Sequence, residues 1–276
     1  PVEVVIGSEF GYDDNLIPEK SMFVFISQSG ETADSMVVFN NVVNKYRTLA
    51  ITNVRGSQLD QRSDFSMLLY AGMEVAVAST KAYTAQIAVI SILNAILSNR
   101  INENFENLEK VIVAQQKVLN DLDKIKDISS VVAKHKEAII VGRLTDYDVA
   151  IEAALKIKEV TYININAYAG GELKHGPISL IDKNMLIIGL VHYSKTSGAI
   201  RSNIEEIKAR DGKVITFSNK VCSNEGDDYI IDYDGDELLS PMISVIPHQL
   251  LSYFVALELE LDVDKPRNLA KSVTVE

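Results

Sequence analysis

Six consecutive residues, Ser27-Gln28-Ser29-Gly30-Glu31-Thr32, have the chemistry of an anion site. They follow the apolar run Met22-Phe23-Val24-Phe25-Ile26 and precede a helical pattern that begins at Ala33. A buried strand that turns into a helix leaves the first helical amides without backbone partners, and the helix dipole favours negative charge at that end. Ser27, Ser29 and Thr32 add hydroxyl donors, and Gly30 lets the backbone approach closely. A phosphate is the guest such a turn would take. The same residues also fit plain helix capping by Ser29 or Thr32, with Glu31 in the first turn.

Four further groups carry chemistry or a structural alternative to it. Ser79, in Ala78-Ser79-Thr80-Lys81, either caps the following helix or offers its hydroxyl to a polar ligand. Glu152, Lys156 and Glu159 fall at i, i+4 and i+7, on one face of a helix that is otherwise largely apolar. That stripe is either solvated or turned into a cleft. Glycines bracket the Glu-Leu-Lys-His run in Tyr168–Pro177, where His175 can move protons near neutral pH or serve as a structural hydrogen-bonder. Lys271, in the closing stretch Lys265–Glu276, is a Schiff-base nucleophile if it sits in a dry pocket. No pairing of His135, His175, His192 and His248 has metal-site spacing. The acidic run Asp232–Glu237 lacks the glycine position and closing glutamate of a calcium loop. No metal and no cofactor is expected.

These groups need elements to hold them. Strands are predicted at Val2–Ile6, Met22–Ile26, Thr48–Thr52, Phe65–Tyr70, Ala138–Val141, Met185–Val191, Val214–Phe217 and Tyr229–Asp232. Helices are predicted at Ala33–Lys45, Thr80–Leu97, Phe105–Leu122, Tyr147–Tyr162, Ser197–Arg210 and Gln249–Leu259. Their alternation predicts α/β architecture with parallel sheets covered on both faces. A weak internal repeat relates Phe25–Asn53 to Leu190–Asn219, each a strand, a polar turn, a helix and a strand ending near Asn. Only the first copy has the compact, hydroxyl-rich turn.

The 276 residues carry a formal charge of -11, which argues against a nucleic-acid surface and requires any phosphate site to be made locally. A single cysteine, Cys222, excludes an intrachain disulfide and fits a reducing compartment, the cytoplasm. The longest apolar stretch, Ile87–Leu97, is too short for a bilayer, so no membrane partner is expected. The chain opens at Pro1 without a secretory pattern and reads as starting inside a domain.

Together the motifs resemble the isomerase half of the glucosamine-6-phosphate synthase family, the glutamine–fructose-6-phosphate aminotransferases. The matching segments are Ser27–Asp34, Val77–Ala82, Leu155–Glu159, Gly171–Pro177 and the tail Pro266–Glu276. The first alone is similar to sugar isomerase (SIS) domains at large, and the tail narrows the likeness to the synthases. The resemblance implies two SIS domains, each a doubly wound parallel sheet, at 1–103 (incomplete at its N-terminus) and 104–260, with an active-site tail at 261–276. It implies that Ser27, Gln28, Ser29 and Thr32 hold the phosphate of fructose 6-phosphate, and that Val77, Ser79 and Ala270 line the sugar. Glu159 is then the base that moves a proton between C1 and C2. His175 assists ring opening, Lys156 supports charge on the oxygens, and Lys271 attacks the C2 carbonyl. The implied product is glucosamine 6-phosphate, the implied state a homodimer, and the implied ammonia source a glutaminase domain whose nucleophilic cysteine this chain lacks. The family's Cys-Gly-Thr-Ser loop is also missing upstream, and Asn166 stands where the family often has an acidic residue. Two rivals share the fold: a phosphosugar deaminase or ketose–aldose isomerase, against which the tail Arg267–Lys271 speaks, and a non-catalytic phosphosugar sensor, which should lack the base and the lysine that Glu159 and Lys271 supply.

Overall fold

Runs rich in Val, Ile, Leu and Phe form parallel strands, and the stretches between them form the helices that cover the strands. A computed structural model of the chain describes residues 1–11 and 17–271. These divide into two units, Pro1–Leu93 with the tail from Asn268, and Asn94–Arg267. Residues 272–276, the end of the expected active-site tail, lie outside the described residues.

The first unit runs α1 (Gly7–Phe10), β1 (Met22–Ser27), α2 (Ala33–Val42), β2 (Arg47–Thr52), α3 (Gln58–Arg62), β3 (Phe65–Leu68) and α4 (Lys81–Leu97). Its sheet has the order β1-β2-β3, all parallel, with Phe25 beside Ala50 and Ile26 beside Ile51. Side chains alternate between faces. Phe25 and Ala50 pack with Phe39, Val42 and Leu59, while Leu49 and Ile51 pack with Ala82 and Val89 of α4. Among the described residues β1 pairs only with β2, and its Val24 and Ile26 stay exposed. The strand expected at Val2–Ile6 does not form. Val2 and Val4 are 93% and 92% exposed, and β-type residues make a strand only with a neighbour to pair with and a face to bury.

The second unit runs α5 (Ile101–Asn120), α6 (Asp123–Val132), β4 (Glu137–Gly142), α7 (Thr145–Thr161), β5 (Asn164–Ala169), β6 (Leu186–Val191), α8 (Ser194–Lys208), β7 (Lys213–Asn219), β8 (Tyr229–Ile231) and α9 (Pro241–Glu258). The parallel sheet has the order β5-β4-β6-β7-β8, with β6 buried at every position. The stretch Glu237–Glu258 is apolar enough to span a membrane by composition, yet 67% of its apolar window is buried. β1-α2-β2 and β6-α8-β7 follow the same path, as the internal repeat predicts, and each is followed by a further parallel strand, β3 and β8. The sequence patterns miss the short helices α1, α3 and α6, the edge strand β5, and the first turns of α9, where Pro241 opens the helix and Pro247 lies inside it.

Candidate functional site

In the first unit the hydroxyl-rich turn joins the C-terminal end of β1 to α2. Ser27 is buried, accepts a hydrogen bond from the Gly30 amide at 3.1 Å, and shares a second with Thr32 across 3.1 Å. Ser29 Oγ accepts the Glu31 amide at 3.2 Å. Thr32 stands at the N-cap of α2, but its side chain makes no capping bond; its hydroxyl pairs with Ser27 instead. Glu31 turns away, its carboxylate accepting the Gln58 amide at 2.7 Å and the Gln58 side chain at 3.0 Å, so its charge caps α3. Gly30 has φ +68, and a Cβ there would collide with Ser57 Oγ and lie 2.7 Å from Ser57 Cβ. The cradle thus needs glycine for both its backbone angle and its space.

Asn53, one residue past β2, ties this turn to the next loop. Its amide donates to the Gln28 carbonyl at 3.1 Å. Its side chain donates to the Gly72 carbonyl at 2.8 Å and accepts the Ala71 amide at 3.0 Å. The loop then reaches Glu74, whose side chain is 4% exposed. Glu74 accepts four hydrogen bonds: from Ser79 Oγ at 2.6 Å, the Thr80 amide at 2.7 Å, the Ala82 amide at 3.4 Å and Lys271 Nζ at 3.1 Å. Burial pushes its carboxyl up, but the bonds from Ser79, Thr80, Lys271 and Ala82 outweigh that and hold it below the usual carboxylate range. Glu74, not Ser79, therefore caps α4, and Ser79 spends its proton on Glu74. Val77 is half-buried in the same loop, and Ala270 is exposed beside Lys271.

In the second unit the Glu152-Lys156-Glu159 stripe of α7 is not solvated. The Lys156 side chain is 5% exposed, with Nζ 2.7 Å from Glu159 Oε2 and 3.6 Å from Glu152 Oε1. A buried ammonium requires such partners. His175 ends a short turn of helix, Glu172–His175, that buried Leu173 anchors and the Lys174–Glu206 ion pair, 2.9 Å, ties to α8. The His175 ring is exposed, and no described hydrogen bond joins it to Lys156 or Glu159. Asn166 Oδ1 accepts from Lys158 Nζ at 3.4 Å, a neutral partner where an acidic residue would form an ion pair.

The repeat copy of the cradle is filled from within. Asp146 accepts the amides of His192 at 2.9 Å and Tyr193 at 3.2 Å, with His192 Nδ1 3.1 Å from its other oxygen. Glu237 takes the Ser194 amide at 3.1 Å and hydroxyl at 2.7 Å. Two carboxylates stand at the end of β6 where the corresponding turn after β1 offers hydroxyls.

A family model described as the SIS domain matches residues 1–95 and 132–259. The whole chain is 46% identical to the isomerizing glutamine–fructose-6-phosphate aminotransferases of Staphylococcus epidermidis and Staphylococcus aureus, and it spans 47% of their length. The solved C-terminal domain of glucosamine-fructose-6-phosphate aminotransferase from Francisella tularensis superposes with a TM-score of 0.89 at 38% identity, over 96% of this chain and 78% of that one. Glucosamine-6-phosphate deaminase from Thermotoga maritima shares the fold at 21% identity, with a TM-score of 0.73 over 97% of this chain and 80% of its own.

Proposed function

The chain belongs to the SIS-domain family, and on that footing we propose that it is the isomerase part of a glutamine–fructose-6-phosphate aminotransferase. It converts fructose 6-phosphate and ammonia to glucosamine 6-phosphate and water. The observation that carries this reading is Lys271: the tail brings it back to the first unit, where it pairs with Glu74 at the head of α4. A ketose–aldose isomerase needs a base but no amine; replacing a ketone oxygen by nitrogen gains from a lysine that first makes the imine.

The phosphate sits in the Ser27–Thr32 turn, with Gln28 among its contacts. Val77, Ser79 and Ala270 line the sugar. His175 protonates the ring oxygen as the sugar opens. Lys271 condenses with the C2 carbonyl, and ammonia then displaces the lysine. Glu159 takes a proton from C1 and returns it to C2, leaving the aldehyde at C1 and the amine at C2. Lys156, held between two carboxylates, steadies charge on the substrate oxygens. The reading also places the protein in the cytoplasm as a homodimer, fed with ammonia by a glutaminase domain.

Incubation with fructose 6-phosphate, with and without ammonium, tests the reaction. Glucosamine 6-phosphate formed only with ammonium is the expected result. Glucose 6-phosphate formed without it would identify a plain isomerase, and binding without turnover would identify a sensor.

A further inference from the structure

We propose that Glu74 is the positioning residue for Lys271: a fixed carboxylate at the head of α4 that aims the ε-amino group and balances its charge before and after the imine forms. This rests on the reaction proposed above.

The carboxylate is held from two sides. Oε1 takes the Thr80 and Ala82 amides, and Oε2 takes Ser79 Oγ and Lys271 Nζ. The amides come from the positive end of α4, where an anion is favoured. The helix therefore sets the plane of the carboxylate, and Oε2 presents one fixed acceptor to the lysine. That matters because Lys271 hangs on a four-carbon stem near the end of the chain and is only partly buried. Such a side chain has many rotamers to lose before it can attack a carbonyl. Pairing with Glu74 removes most of that freedom before substrate arrives.

Charge conservation gives Glu74 its second role. The lysine ammonium and the C2 carbonyl together become a protonated imine and water: the Nζ–C2 bond forms, two protons leave nitrogen with the carbonyl oxygen, and one positive charge stays on nitrogen. The counter-ion needed at the start is needed equally at the end. Glu74 meets that requirement without moving, because its bonds to α4 do not depend on the sugar.

The test is borohydride trapping of the fructose 6-phosphate adduct on Lys271, read by peptide mass spectrometry at saturating sugar, beside a calorimetric Kd. Glu74→Gln keeps an acceptor for the α4 amides but removes the charge. It should slow trapping about tenfold or more while the Kd changes less than about twofold. Glu74→Asp retains the charge on a shorter stem; if Gln disturbs the head of α4 and weakens sugar binding, Asp carries the test, with slowed trapping at unchanged Kd expected. Trapping at the wild-type rate in both variants would overturn the role of Glu74 alone. No adduct and no glucosamine 6-phosphate from the wild-type protein would overturn the proposed reaction, and this inference with it.

Discussion

The Arg267 amide donates to Tyr162 Oη at 2.8 Å, and the Arg267 guanidinium lies 4.1 Å above the centre of the same ring. Tyr162 caps α7 in the left-handed conformation, φ +62, so one residue both ends the helix and holds the start of the tail. Arg267 precedes Lys271 by four positions. Tyr162→Phe deletes only the acceptor and keeps the ring under the guanidinium. A single exposed hydrogen bond is worth about 1 kcal/mol, so global stability should barely change while the tail opens roughly fivefold more often. Trypsin cleavage after Arg267 reads this directly: faster cutting in Tyr162→Phe at an unchanged melting temperature is expected, and equal rates would rule out the anchor.

Glu159 and Lys156 form the tightest ion pair of α7, 2.7 Å apart and largely withdrawn from water. If Glu159 is the base, Glu159→Gln should leave sugar binding and the borohydride-trapped adduct intact while C1–H exchange in heavy water falls at least about a hundredfold, the usual scale for losing a general base. Lys156→Met removes the buried cation that lies 2.7 Å from Glu159, and should cost stability by roughly 3 kcal/mol as well as activity. Rapid C1 exchange in the Gln variant would place the base elsewhere.

What could be read from the sequence follows from how local each feature is. β1 and its cradle were legible because Phe23-Val24-Phe25-Ile26 and Ser27–Thr32 are adjacent and their residue types are demanding. β5 was not, because Ile165 is its one fully buried position and Asn164 and Asn166 read as loop. The start of α9 was hidden by Pro241 and Pro247, which the surrounding buried Met242, Ile243, Val245 and Ile246 override. The burial of Lys156 depends on what packs over α7, which no spacing reveals. Glu74 was invisible for the same reason: its neighbours read as an ordinary loop, and its lysine partner lies 197 positions away.

Leu144 sits immediately before α7 with φ +51 and ψ -127, a conformation that glycine adopts freely and leucine does not. Its side chain is exposed, so little packing offsets the strain. Relief of such strain is worth about 1–3 kcal/mol, against roughly 0.5–1 kcal/mol lost through the greater freedom of glycine in the unfolded chain. The balance favours glycine. Leu144→Gly should raise the urea midpoint of unfolding with an unchanged m value, a net gain of about 1 kcal/mol. A lower midpoint would mean that the leucine side chain supports the head of α7 in a way its exposure does not reveal.

His248, fully buried in α9, sets a pH dependence. Its ring lies 4.5 Å from the Phe217 ring centre, and neither ring nitrogen has a partner among the described residues. Burial, with a smaller contribution from nearby His192, pulls its pKa down to about 3. His192 in turn faces Asp146, so a proton arriving at His248 finds no direct carboxylate partner of its own. In the unfolded chain the ring titrates near its ordinary value of about 6.5. Above that pH the ring is neutral in both states and costs nothing. As pH falls below it, the unfolded chain takes a proton that the folded chain refuses, so stability declines continuously toward the folded pKa. The loss approaches roughly a tenfold change in the folding equilibrium per pH unit. His248→Phe keeps an aromatic ring against Phe217 and removes the titration. Urea unfolding from pH 7.5 to 4.5 should therefore show about one proton fewer taken up on unfolding than in the wild type, whatever the variant's absolute stability. Identical proton uptake in the two proteins would mean that His248 is charged in the fold.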